Sequence, residues 1–273
     1  MITALINGKP GETISLRDRG FQYGDGLFET IAISQGTPLL WERHISRLQR
    51  GATRLGINAP AESLLRDEAG QLCHGLMRGV LKIILTRGAA GRGYAPDKQA
   101  LPTRALSILP WPDYPASHWS HGIAAQFCRT PISRNTLTAG IKHLNRLEQV
   151  LARSELNDDC AEGLMCDEFS RVIEGTMTNI FIVSQGKLFT PDLSCSGVEG
   201  VMRELVLERA AGFFQEVRMT SITQNDVLQA DEVFLTNSLI GLWPVRRLGV
   251  KEYAPGKMTP RIQEAIADAC IIN

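Results

Sequence analysis

Short apolar strands and amphipathic helices are interleaved irregularly along this chain, and that irregularity most constrains its fold. Residues 2–6, 27–34, 80–87 and 105–109 read as strands, and 44–55 and 61–77 as helices. Further strands are expected at 123–129, 163–167, 172–173, 180–184 and 232–236. Helices are expected beyond Lys142, at 200–213, at 224–228 as a short turn, and from 259 onward. Asn7-Gly8 reads as a hairpin turn, and FQYGDG at 21–26 as a tight glycine-bearing loop. A doubly wound sheet would need regular βαβ alternation, which neither half has, so the fold class is α+β. The Pro- and aromatic-rich stretch WPDYPASHW marks a linker at 111–120. It separates an N-terminal α+β domain at 1–110 from a C-terminal α+β domain at 121–273.

The 273 residues, 44% of them hydrophobic, suffice for two such cores. Lys+Arg and Asp+Glu both total 29, so no net charge points to nucleic acid or a membrane surface. The six cysteines form no CxxC pair and no cluster with zinc spacing, so no metal site is expected. Reduced thiols in a cytoplasmic protein are the simplest reading. No apolar run is long enough to span a membrane, and the first twelve residues do not read as a signal peptide.

The segment AGIKHLNRLEQVLAR, at 139–153, holds one lysine before a helical pattern. Leu144, Leu147, Val150 and Leu151 recur at helical spacing, so this helix is expected to pack inward. Burial lowers the pKa of a lysine, and a neutral amine is what Schiff-base chemistry uses. The alternative is a surface lysine at a loop–helix junction.

An aldehyde cofactor bearing a phosphate needs such a lysine, an anion site, and a carboxylate facing its ring nitrogen. Glu174 follows Val172-Ile173 and opens EGTMTN, where an ordinary turn glutamate is the alternative. GVEGVMRE at 197–204 places glycine before a helix, whose first backbone N–H groups, at Val201 and Met202, suit an anion. Thr236, Asn237 and Ser238 end a strand and could add contacts. Arg43, Arg47, Arg50 and Arg54 share one helix side, either as a solvated face or with one turned inward to a phosphate. RGAAGRGYA, at 87–95, follows a strand; its Arg92 and Tyr94 could meet a substrate carboxylate, or the stretch is a mobile loop.

Together these motifs resemble the fold-type-IV pyridoxal-phosphate enzymes. They occur in the family order: HxxRL at 44–48, Lys142, EGxxxN at 174–179, GVxR at 200–203 and the polar run 236–238. Within that group GIKHLNRLEQVLAR and TRGAAGRGY look most like the aminodeoxychorismate lyases. DRGFQYGDGLFET fits the whole group. The resemblance implies two α+β domains with pyridoxal 5′-phosphate between them, and a homodimer whose active site lies near the subunit boundary. It makes Lys142 the Schiff-base lysine and Glu174 the partner of the ring nitrogen. Arg47, the backbone of Val201 and Met202, and Ser238 would hold the phosphate, with Asn237 and Thr178 as further cofactor contacts. Thr30 would be a proton donor, and Arg92, Tyr94 and Arg146 substrate contacts. The implied reaction converts 4-amino-4-deoxychorismate into 4-aminobenzoate and pyruvate, for folate biosynthesis. An aminotransferase for D- or branched-chain amino acids is the alternative. A fold kept only for binding is opposed by the presence of both Lys142 and Glu174.

Overall fold

The computed structural model describes residues 3–97 and 99–271. It clusters into two α+β units. The first takes the chain up to Pro112 together with Ile141–Asn145; the second takes Asp113–Gly140 and the chain from Arg146 onward.

In the first unit six strands form one antiparallel sheet, in the order Lys9–Pro10, Ala4–Ile6, Thr103–Leu109, Arg78–Thr86, Gly26–Ser34, Thr37–Pro38. The strand expected at 2–6 is found over Ala4–Ile6, and Ile2 lies outside the described residues. Period-two alternation sorts the two long central strands. Leu27, Ile31, Ile33, Leu81, Ile83 and Leu85 point into the core. Helices Trp41–Leu55 and Glu62–Cys73 cover them with Ile45, Leu48, Ala52, Leu65, Ala69 and Leu72. Phe28, Thr30, Lys82 and Ile84 fall on the other face and are half-buried.

FQYGDG at 21–26 reads as a loop in sequence, but a helical turn runs over Arg19–Tyr23. Asp18 caps it, accepting from the Gly20 amide at 2.8 Å. Asp25 follows and accepts from Arg19 Nε at 2.8 Å and Arg87 Nε at 2.7 Å. Burial would raise the Asp25 pKa, but these two guanidiniums outweigh it and hold the carboxyl below its usual range.

The second unit carries a ten-stranded mixed sheet. Its main path runs Val217–Thr220, Lys187–Pro191, Asn179–Ser184, Glu232–Asn237, Gly241–Leu248, Ile123–Phe127, Glu162–Cys166, Arg171–Gly175, Ile222–Thr223; Lys251–Glu252 pairs beside Gly241–Leu248. Ile180, Ile182, Val233, Leu235, Trp243 and Val245 lie at its core. Helices Val201–Ala210 and Met258–Ala265 pack on each other and on Glu232–Asn237.

Three expectations need correction. The stretch 111–120 is not simply a tether: Ser117–Ser120 is helical, and Trp119 is buried with its Nε1 donating to Ile240 O at 2.7 Å. Tyr114 and His118 each pack edge-on against Trp243, with centroids 4.8 Å apart. Tyr114 and Trp119 therefore belong to the second unit's core.

The linker position puts Lys142 in the C-terminal domain, yet Ile141–Asn145 clusters with the first unit. Backbone pairing is the reason: Phe28 N donates to Lys142 O, and Leu144 N to Gly26 O, both at 3.0 Å.

Nor does a buried helix follow Lys142 directly. The helix covers only Leu147–Arg153. Leu147, Val150 and Leu151 are 70%, 61% and 50% exposed, and Ala152 is its buried residue. The periodicity is real, but the apolar stripe faces away from this chain's own core.

Candidate active site

In the first unit, Lys142 sits beside the opening of the long strand Gly26–Ser34. Its Nζ stands 4.5 Å from the centroid of the Phe28 ring, within the range of a cation–π contact. Two residues further along the strand Thr30 shares the face of Phe28 and is half-buried. Direct cross-strand pairing sets Thr30 opposite Lys82.

The opposite face carries a charged cluster. Glu29 is buried at the same inward-facing period as Leu27 and Ile31. Arg47, on the helix Trp41–Leu55, donates from Nε to Glu29 Oε1 at 2.8 Å and from its terminal nitrogen to Oε2. His44 Nδ1 lies 2.7 Å from Glu29 Oε2. Burial alone would raise Glu29, but the Arg47 charge and hydrogen bonds from Arg47 and His44 bring it down to about 2. Burial depresses His44, and the Glu29 carboxylate only partly counters that. Of the basic stripe on this helix, Arg47 turns inward and is buried, with Glu29 as its partner. Sequence reasoning missed Glu29. An acid at a core-facing strand position predicts a buried cation partner, and that signal was present in LFETI.

In the second unit, Glu174 lies on Arg171–Gly175, paired across the ladder with Met165 and buried. Its Oε2 accepts from the Val198 amide at 2.8 Å. Gly197, at φ +82°, brings that amide in; a Cβ there would stand 2.8 Å from Ile173 and 3.2 Å from Glu174 Oε2. Gly200 precedes the helix Val201–Ala210 and has no side-chain cap. The first-turn amides of Val201 and Met202 have no intrahelical acceptor, so they point out of the helix start. A Cβ on Gly200 would come within 2.0 Å of Asn179 Oδ1, so the close approach requires glycine. Asn179 Nδ2 in turn donates to Val198 O at 2.9 Å, tying the glycine-rich turn to the sheet.

The polar run 236–238 is mixed in its use. Thr236 Oγ1 is buried and has no hydrogen-bond partner among the described residues. Asn237 spends its carboxamide on local structure: Oδ1 accepts from the amides of Leu239 and Ile240, each at 2.9 Å, and Nδ2 donates to Met177 O at 3.2 Å. Ser238 is half-buried in the turn that follows. Thr178 is buried, with Oγ1 donating to Glu162 Oε2 at 3.0 Å.

The three residues expected to contact substrate are all at least partly exposed. Arg92 is exposed and borders a groove of about 350 Å³ with Arg17 and Gln22. Tyr94 is 84% exposed, with its ring edge-on to Tyr23 at 5.4 Å and its carbonyl accepting from Arg19. Arg146 is half-buried at the cap position of Leu147–Arg153.

The sequence profile of the family described as amino-transferase class IV matches residues 26–248. The chain is 37% identical over 263 residues to an aminodeoxychorismate lyase of Vibrio harveyi, covering 94% of this chain and 97% of that protein. It is 30% identical to a putative branched-chain-amino-acid aminotransferase of Methanocaldococcus jannaschii, covering 96% and 94%. Among solved structures, the 4-amino-4-deoxychorismate lyase of Pseudomonas aeruginosa matches with a TM-score of 0.93 and 47% identity, over 97% of this chain and 98% of that one.

Proposed function

Because this chain belongs to the amino-transferase class IV family, we propose that it is a pyridoxal-phosphate-dependent lyase that converts 4-amino-4-deoxychorismate into 4-aminobenzoate and pyruvate. The similarity to the Pseudomonas aeruginosa lyase, at 47% identity over nearly the full length, carries this reading. The product places the enzyme in the supply of 4-aminobenzoate for folate.

The residues present fit pyridoxal 5′-phosphate. Gly197 and Gly200 let the turn pack closely on Ile173, Glu174 and Asn179, and Thr236 Oγ1 is a buried hydroxyl without a partner among the described residues. Together with the amides of Val201 and Met202 they suit a phosphate at a helix start. Arg47 and Ser238 would add charge and a hydroxyl to it, and Thr178 and Asn237 would shape the turn beside it. Glu174, which accepts from the Val198 amide, would keep a proton on a ring nitrogen.

When bound, the cofactor supplies an aldehyde that condenses with amines and a ring that accepts electron density. Lys142 Nζ would be the amine that holds that aldehyde. The Lys142 amine would take the proton from C4 of the substrate as general base. The bond to the enolpyruvyl oxygen breaks, the six-membered ring becomes aromatic, and that gain drives the step. Lys142 or Thr30 returns a proton to the departing enolpyruvate, which becomes pyruvate. Arg92, Tyr94 and Arg146 are cationic or phenolic contacts for a substrate carboxylate.

The 30% identity to the putative branched-chain aminotransferase supports a second reading, transamination with Lys142 moving the proton. Cofactor-loaded protein given aminodeoxychorismate and no amino acceptor separates them. 4-Aminobenzoate with matching pyruvate establishes the lyase. No product, from a protein whose visible band responds to amino acids, establishes the aminotransferase.

The subunit arrangement is a homodimer in this reading. The exposed apolar stripe Leu147, Val150 and Leu151 supports it, because such a stripe is a surface that a partner covers. No helix among the described residues is long and apolar enough to cross a membrane, and a cytoplasmic location accords with the free cysteines.

A further inference from the structure

Cys160, Cys195 and Cys270 are all half-exposed, yet their surroundings act on the thiols in opposite directions. Burial and a neighbouring aspartate raise Cys160, and the same two causes push Cys270 up to about 11. Cys195 moves the other way. Contact with Ser194, whose Oγ lies 3.7 Å from its Sγ, and with Arg134, together with the Arg134 charge, holds this thiol below its ordinary range. Arg171 also lies within electrostatic reach of the sulfur. Both guanidiniums sit over the Phe169 ring, 5.1 and 5.2 Å from its centroid. They share one carboxylate, Asp167, whose Oδ2 is 3.7 Å from Arg134 Nε and 2.8 Å from Arg171 Nε. Asp192 is the acid that opposes them at the thiol.

Cys195 also lines a small cleft of about 50 Å³, together with Ser196, Asp167, Arg171, Val172 and Ile173. Ser196 is 3% exposed, and its Oγ has no hydrogen-bond partner among the described residues. A buried hydroxyl left unpaired is costly, and a small polar molecule in the cleft would pair it. The volume suits a molecule of a few heavy atoms rather than a metabolite. A reactive thiol, two nearby cations and an unpaired hydroxyl at one small cleft are what a peroxide needs in order to be held and reduced.

We propose that Cys195 and Ser196 form a site for a small hydroperoxide, where the Cys195 thiolate is oxidised to a sulfenic acid. The sulfur attacks one peroxide oxygen, so that an S–O bond forms as the O–O bond breaks. The departing hydroxide takes up the proton that the thiol released and leaves as water. Sulfur gives up two electrons and the peroxide accepts them. Arg134 and Arg171 favour the thiolate by their charge, and Ser196 Oγ hydrogen-bonds the peroxide. The inference is independent of the reaction that the protein catalyses, since the thiol and the oxidant are its only reactants.

The test uses the full-length, cofactor-loaded protein at pH 7, with hydrogen peroxide as oxidant and dimedone as the trap for sulfenic acid. Peptide mass spectrometry reads the adduct at each cysteine over time. Cys195 is expected to be labelled about tenfold or more faster than Cys160 and Cys270, the other half-exposed thiols. Alkylation by iodoacetamide, which needs the thiolate and not a seated peroxide, separates the two parts of the site. Arg134→Met should slow both reactions at Cys195, and Arg134→Lys should keep most of the rate. Ser196→Ala should slow peroxide labelling several-fold while alkylation stays at the wild-type rate. That variant carries the test if Arg134→Met fails to fold. Labelling of Cys195 no faster than of Cys160 and Cys270 would overturn the proposal. So would a Ser196→Ala protein labelled at the wild-type rate, because the thiol would then react without a peroxide held in the cleft.

Discussion

Arg47 closes a two-pronged ion pair on Glu29, with Nε 2.8 Å from Oε1 and a terminal nitrogen on Oε2, between a helix and the strand it covers. Both side chains are buried, so neither charge has water to fall back on. Glu29→Gln should therefore destabilise the protein by about 3 kcal/mol or more, because it strands the guanidinium. Urea unfolding monitored by tryptophan fluorescence would read this as a lowered midpoint. A midpoint within error of wild type would show that the pair contributes nothing.

The same pair sets an acid limit. Glu29 titrates at about 2 in the fold against an ordinary 4.5, so its contribution is complete above 4.5 and is lost as pH falls toward 2. His44 is also depressed below its ordinary 6.5 by burial. The unfolded chain binds that proton more readily, so stability begins to decline below 6.5 and steepens below 4.5. Thermal melts from pH 7 to pH 3 should show this two-stage fall in Tm. In Glu29→Gln the steep lower stage should flatten; an unchanged profile would assign the acid limit to other carboxylates.

Lys142→Ala should lose both the visible absorption of the bound cofactor and the lyase activity. Borohydride reduction of wild type should fix the cofactor's mass on the peptide carrying Lys142. Finding that mass on Lys82, the other lysine on the Phe28 ring, would move the covalent role to that strand.

How much of this was legible beforehand follows from what each signal reports. Short apolar runs point to the strands at Gly26–Ser34 and Arg78–Thr86, because a strand with a buried face concentrates apolar residues. Helical spacing likewise found Leu147, Val150 and Leu151, but spacing reports that a stripe exists and not what covers it. The aromatic residues of 111–120 were read through their prolines, and their burial depends on Trp243, more than a hundred residues away. Glu29 and Lys82 were passed over for a related reason. A single charge inside an apolar strand looks like noise until the facing side chain is known.

Glu174 depends on the turn that follows two strands later. Gly197→Ala would force an L side chain into φ +82° and press its Cβ toward Ile173 and Glu174 Oε2. Left-handed backbone alone costs about 1–2 kcal/mol, and the crowding should also displace the Val198 amide from the carboxylate. Turnover should drop while overall fold, read by circular dichroism, persists. Glu174→Ala should lower kcat by weakening the electron sink; unchanged kcat there would mean another group faces the ring nitrogen.

The helix Leu147–Arg153 offers the sharpest test of assembly. Three of its seven residues are large, apolar and exposed, and they follow each other at spacings of one, three and four. A charge at the middle of such a stripe would be harmless on a monomer, since the position is already wet. In a dimer it would be buried without a partner, which costs several kcal/mol at each of two symmetry-related sites. Val150→Asp should therefore shift the protein from dimer to monomer in sedimentation equilibrium without lowering the helix content. A Val150→Asp protein that sediments as wild type, whether monomer or dimer, would remove this face from the interface.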